Sequence, residues 1–136
     1  MRGIADTGFL VAFANRRDHH HDWAIRLASQ ISEPLLTCEA VLAETAFHLR
    51  DSTVVLNFVR EGLVRPALNL SEHLSQLSRI AQRFSDRAPD LADICLIRLS
   101  ELHPKHAVIT VDVADFRVYR RNRREAIPLI APPEIK

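Results

Sequence analysis

Apolar and polar positions divide the chain into short apolar runs and longer stripes of helical period. RGIAD, at the start, is strand-like, and TGFLVAFANR after it reads as a helix with apolar residues at most positions. RRDHHHDW leads into an amphipathic helix from about His20, with Trp23, Ile25, Leu27, Ala28 and Ile31 on its apolar face and Pro34 as its stop. LLTC (35–38) is a short strand. CEAVLAETAFHLR (38–50) is helical by composition, and STVVLNFVREG (52–62) is a second helix with Ser52 as N-cap and Gly62 as the C-terminal stop. VRPAL (64–68) reads as an edge strand, because Pro66 cannot donate to a central ladder. Apolar residues at 70, 74, 77, 80, 81 and 84 predict one helix over 70–85. DLADICLIRLSELH (90–103) is the next helix, with Asp90 as N-cap after Pro89, and AVITV (107–111) is the best strand in the chain. VADFRVYRRNRRE follows, then the strand-like IPLIAPP. Strands alternating with helices predict an α/β sandwich around a parallel sheet, with no internal repeat.

One position disturbs this pattern. In IADTGFLVAF (4–13) the carboxylate of Asp6 stands between two segments bound for the core, where a lone charge is costly to desolvate. Open parallel sheets bind ligands beyond the carboxyl ends of their strands. Asp6 ends the first strand and Asp112 ends AVITV, so the two converge if those strands are neighbours. Asp93 lies three residues after the Asp90 cap, and Glu44 lies inside an apolar helix. Each acid has an ordinary role available. Asp93 can complement a helix dipole, Asp112 and Asp6 can cap the segments after them, and Glu44 can occupy a narrow solvated stripe. As a set they favour a shared site, because converging carboxylates repel unless protonated or neutralised, and the usual neutraliser of an all-oxygen cluster is Mg²⁺ or Mn²⁺.

DTGFLVAF, TCEAVLAETAFHL, PDLADICLIRLSE and ITVDVADFRVYRR, in this order and at this spacing, resemble the successive acidic motifs of the PIN-domain ribonucleases, in particular the VapC-like toxin subunits of bacterial toxin–antitoxin systems. The resemblance implies a three-layer α/β/α sandwich with a central parallel sheet of four to five strands. It places the metal-site acids on Asp6, Glu44, Asp93 and Asp112, with Asp115 as a frequent additional ligand. Asp90 is a second choice, since capping accounts for it. Thr7 resembles the hydroxyl-bearing residue after the first acid, and Gly8 departs from the serine of many relatives. The implied activity is Mg²⁺-dependent RNA hydrolysis, with Mn²⁺ able to substitute, leaving a 5′ phosphate and a 3′ hydroxyl. The implied partners are the RNA, a small antitoxin protein that covers the site, and a second copy joined through the helices after strands two and three.

An acidic site acting on a polyanion needs basic residues nearby. RVYRRNRR (117–124) holds five arginines in eight residues; any one of them reads equally as part of a solvated basic face, and Arg117, Arg120 and Arg121 are the candidate substrate contacts, with Arg16 and Arg17 weaker ones. An apolar groove between the first helices would suit an antitoxin, and Phe9, Phe13, Trp23, Phe47 and Leu56 could line it, although each reads first as plain core. The adjacent His19, His20 and His21 point in different directions on a helix and do not form a metal site.

Composition narrows the alternatives. With 47% apolar residues the 136-residue chain can bury a real core as one domain, and a net charge of +1 leaves nucleic-acid binding to a local patch. Cys38 and Cys95, far apart in apolar runs, read as buried thiols of a reducing compartment. With the first strand starting almost at Met1, no room is left for a signal peptide, and no run is long enough to span a bilayer, so a cytoplasmic protein is expected. The competing classes are a PIN-fold nuclease of RNA processing without an antitoxin, a phospho-acceptor receiver domain, and a partner protein whose metal site has decayed. A receiver would need a lysine near the acids, and the lysines are Lys105 and Lys136. Four intact acids argue against decay.

Overall fold

The computed structural model describes residues 2–133; Met1 and Lys136, both named above, lie outside them. The main sheet is formed by β1 (Gly3–Ala5), β2 (Leu35–Thr37), β3 (Val64–Pro66), β4 (Ala107–Ile109) and β7 (Leu129–Ile130). Its order is β3-β2-β1-β4-β7, with all pairs parallel. Ile4 of β1 faces Leu36 on one side and Val108 on the other. The central strands are buried on both faces, which is why they read as continuous apolar runs rather than alternating ones. β3 stands at one edge with Pro66 in it, as the proline required.

Helices α1 (Thr7–Ala14), α2 (His21–Ala28), α3 (Glu39–Leu49), α4 (Ser52–Arg60), α5 (Leu74–Arg83), α6 (Leu91–Leu102) and α7 (Val113–Val118) complete a three-layer α/β/α sandwich. In α6, Ala92, Ile94, Cys95, Leu96, Ile97, Leu99 and Ser100 are all buried, so this helix is apolar nearly all round and packs against β1, β2 and β4. Cys38 and Cys95 are reduced and buried in the same core.

Local chemistry moved several boundaries. The helix expected over 70–85 is broken. Asn69 accepts the Ser71 N–H at 3.2 Å and starts a 3₁₀ turn, Leu70–His73, before α5 begins. Asp51, not Ser52, caps α4, accepting the Val54 N–H at 3.2 Å. β4 ends at Ile109, yet Thr110 still donates its N–H to the Ile130 carbonyl at 3.0 Å while its hydroxyl turns to Asp6. The arginine-rich segment forms α7 and a small antiparallel hairpin, β5 (Arg120–Arg121) and β6 (Glu125–Ala126).

The groove expected from Phe9, Phe13, Trp23, Phe47 and Leu56 does not exist as one surface. Phe9 is fully buried and meets Trp23 edge-on at 5.9 Å, while Phe13 meets Phe58 at 5.8 Å. Phe47 and Leu56 point outward, 79% and 62% exposed.

Gly8 has a steric reason. A Cβ built there would run into Val111 Cγ2, so Val111 fills the space a larger residue would need. Gly8→Ala is expected to lower stability by about 1–3 kcal/mol through overpacking, more than the roughly 1 kcal/mol that helix propensity returns. Urea midpoints check this, and adding Val111→Ala should recover most of the loss. An unchanged midpoint in the single variant would show that Val111 swings aside freely.

Candidate active site

Strand order reverses about β1 and β4, and the carboxyl ends of these two neighbours open into a cavity of about 400 Å³. Asp6, Glu44, Asp90, Asp93, Asp112 and Asp115 all line it, with Thr7, Gly8, Asp18, His20 and His48. The six acids of the motifs arrive on four supports. Asp6 is the N-cap between β1 and α1, and Glu44 projects from the second turn of α3. Asp90 and Asp93 start α6, and Asp112 and Asp115 start α7.

Asp6 is buried at 7% exposure and survives there because both oxygens are used. Oδ1 accepts the Thr7 N–H at 2.7 Å and Oδ2 accepts the Thr110 hydroxyl at 2.7 Å. Thr110 Oγ1 in turn accepts the Asp112 N–H at 2.9 Å, joining two of the acids. Burial still pushes Asp6 above the ordinary carboxylate range, with Asp112 and Asp90 adding repulsion. Asp93 is pushed up to about 7, first by burial and then by Asp90. The Tyr119 hydroxyl donates to Asp93 Oδ2 at 3.0 Å and opposes that shift. Glu44 and Asp112 are also raised, burial being the larger cause in both. Asp115 behaves differently. Arg87 Nη2 donates to its Oδ1 at 2.8 Å and holds it below the usual range.

Sequence reasoning demoted Asp90 and passed over Thr110. Asp90 does accept the Asp93 N–H at 2.8 Å as a cap, but it also faces the cavity and repels Asp6, Glu44, Asp93 and Asp112. The available signal was its spacing from Asp93, which puts both on the first turn of one helix. Tyr119, set among arginines in the sequence, turns inward and is 1% exposed.

Of the seven carboxylates around this sheet-edge cavity, all but Asp18 come from the four acidic motifs. The PIN-domain family model matches residues 4–125, which takes in every one of them. The chain belongs to the PIN-domain family. No curated protein matches it. PIN domains are generally nucleases, and they typically use divalent metals.

Among the described residues of this PIN domain, no three His, Cys, Asp or Glu groups are already drawn together tightly enough to hold an ion. The donor set nevertheless suits a hard cation. It is all oxygen, Asp6, Glu44, Asp93 and Asp112 are raised by burial and mutual repulsion, and the Thr7 hydroxyl is buried at the cavity wall with no hydrogen-bond partner.

The basic segment divides on inspection. The expectation that Arg121 binds substrate is corrected. Arg121 is 5% exposed, its Nη1 donates to the Ser100 carbonyl at 2.9 Å and the Pro104 carbonyl at 3.2 Å, and its Nη2 meets Glu125 at 3.1 Å. Arg120 folds its Nη1 onto the carbonyls of Arg117 and Tyr119, at 2.6 and 3.0 Å, at the end of α7. Arg117 is exposed on α7. Arg16 and Arg17 are exposed beyond α1.

The raised acids set a pH dependence. In EDTA the folded protein holds protons on Asp6 and Asp93 that the unfolded chain releases above the ordinary value of 3.8. Their contribution to stability is present below that value and lost as pH rises through about 7, where Asp93 ionises. Melting temperature in EDTA is therefore expected to fall between pH 5 and 7.5, as scanning calorimetry would show. Mn²⁺ should raise it more at pH 7.5 than at pH 5, because protons compete for the same oxygens. Equal stabilisation at both pH values would count against these acids as the ligands.

Proposed function

We propose that this PIN domain is an endoribonuclease that hydrolyses RNA phosphodiester bonds with Mg²⁺, Mn²⁺ being able to substitute, and that it is the toxin component of a toxin–antitoxin pair. The observation that carries the nuclease reading is the convergence of seven carboxylates, four with raised pKa, on one cavity at the sheet's switch point. Asp6, Glu44, Asp93 and Asp112 would hold the ion, with Asp90 in reach. Asp115 would join them only by releasing Arg87. When bound, the ion supplies Lewis acidity toward the scissile phosphate. The chain's own groups do the positioning. Thr110 orients the Asp6 carboxylate, Tyr119 orients that of Asp93, and Arg87 places a positive charge at the cavity rim beside Asp115.

The toxin reading is supported by exposed apolar surface beside the site. Phe47 and Leu56 stand outward on α3 and α4, and His48, next to Phe47, lines the acidic cavity. A small protein seated on Phe47 would lie at the cavity mouth. Leu70, Leu74 and Leu91, also exposed, offer a surface for a second copy. A receiver domain is disfavoured, because Lys105 is exposed in the turn before β4, at the opposite end of that strand from the acids. Among the described residues no helix is long and apolar enough to cross a membrane.

The test is incubation of the purified protein with a pool of structured RNAs and with DNA of matched sequence. Cleavage of RNA with Mg²⁺ or Mn²⁺, absent in EDTA and in Asp93→Asn, is expected. Cleavage that persists in EDTA would overturn the metal-dependent reading. A protein encoded beside this chain that blocks the cut would separate a toxin from an RNA-processing nuclease.

A further inference from the structure

A second concave site lies toward the other end of α6. It measures about 190 Å³ and gathers Arg79 and Arg83 from α5, Arg98 from α6 and Arg123 from the hairpin tip. Arg79 and Arg83 are four residues apart, so they share a helix face and repel each other. Arg98 Nη1 is matched by Glu101 Oε1 at 3.1 Å. The other Glu101 oxygen is taken by the Asn122 N–H at 2.7 Å. Among the described residues Arg79, Arg83 and Arg123 enter no salt bridge. Three uncompensated guanidiniums therefore face one hollow that holds a single, already engaged carboxylate. The hairpin that carries Arg123 is clamped. Arg121 ties it to Ser100 and Pro104, and Arg123 is held at its tip with a left-handed φ of 74°.

We propose that this hollow binds a backbone phosphate of the RNA substrate, away from the bond that is cut. Guanidiniums pair phosphate oxygens bidentately, and a phosphate would relieve their repulsion. A polynucleotide is favoured over free phosphate by continuity. Arg79, Arg83 and Arg87 recur every four residues, and Arg87 ends at the rim of the acidic cavity on Asp115. Asp93 and Arg98 both stand on α6, about 8 Å apart along its axis, within the span of a few nucleotides. The site supplies positive charge that the acidic cavity lacks, and it takes over the role assigned to Arg121 from the sequence. This inference rests on the nuclease reading above.

Fluorescence anisotropy with a labelled single-stranded RNA in EDTA tests it without cleavage. The double variant Arg79→Ala/Arg123→Ala should bind about tenfold more weakly, and the slope of log K against log salt should shrink by about 0.7, the loss of one phosphate contact. Arg60→Ala/Arg65→Ala, which removes equal charge from exposed positions on α4 and β3, should bind like the wild type. Equal losses in both double variants, or no loss in the first, would overturn the site. Inorganic phosphate that raises the melting temperature of the wild type but not of Arg79→Ala/Arg123→Ala, with equal RNA affinity in both, would assign the hollow to free phosphate and overturn the RNA reading. Cleavage measured in parallel with Mn²⁺ separates the two claims. A wild type that cuts RNA while the variant binds normally loses only the basic site. A wild type that binds through Arg79 and Arg123 but never cuts loses only the hydrolytic reading.

Discussion

Asp93→Asn should reduce metal-dependent RNA cleavage by at least about a hundredfold, the usual cost of removing one preorganised electrostatic group. The substitution keeps shape. Asn can still accept the Tyr119 hydroxyl, which lies 3.0 Å from Oδ2, and its backbone N–H can still reach Asp90 at 2.8 Å. What it removes is one negative charge from a cavity that already carries too many. Metal-free stability at pH 8 should therefore rise while activity disappears, an opposition expected when a site is held under electrostatic strain. Initial rates across a Mn²⁺ series, with melting temperatures in EDTA, measure both. An active Asp93→Asn variant would displace Asp93 from the site. Lost activity accompanied by a lower melting temperature would point to a fold defect instead.

Arg121→Ala should cost about 2–4 kcal/mol, read from the urea midpoint, because it strands hydrogen-bond acceptors that are buried with it. The Ser100 and Pro104 carbonyls lose their donor, and the Ser100 hydroxyl loses one at 3.0 Å. The Glu125 pair contributes little of this, since Glu125 is 52% exposed and solvent screens it. Arg121→Met keeps the packing of the stem and should cost less than Arg121→Ala. The hairpin also carries the chain on from Tyr119, so loosening it should weaken the hold on Asp93 and lower cleavage modestly even where the protein stays folded. If Arg121 instead touched RNA, Arg121→Ala would leave the midpoint unchanged and weaken RNA binding alone. That contrast tests the correction drawn from its burial.

The family match and the cavity have different standing in the sequence. Asp6 was legible because a charge between two apolar runs needs a reason. Asp112 was legible because it follows the most strand-like segment, and Asp93 because PDLAD is a helix start. These are local signals of period and capping. Asp90 reads first as a cap by the same reasoning, since a cap and a cavity wall use the same position and only the distance to the other acids tells them apart. The single helix expected over 70–85 failed because the apolar stripe does not register that Asn69 captures the Ser71 N–H and starts a tighter turn. Phe9 and Phe47 look alike in a hydropathy pattern, yet one is fully buried and the other 79% exposed.

By itself the sequence determined the alternation of strands and helices, the edge position of the proline strand, and the acids at strand ends and helix starts. Those features depend on neighbours within a few residues, through side-chain period, backbone propensity and capping. The tertiary structure alone decided which of these groups act on one another. Thr110 reaches Asp6 across 104 residues because β4 lies beside β1, and Tyr119 reaches Asp93 across 26. Arg121 reads as a solvated charge in a run of arginines, and only the carbonyls of Ser100 and Pro104 around it make it a buried anchor. Arg79, Arg83, Arg98 and Arg123 are scattered in the chain and meet only because α5, α6 and the hairpin pack together. Strand order and packing set these distances, and Coulomb and hydrogen-bond energies follow distance in space rather than separation along the chain.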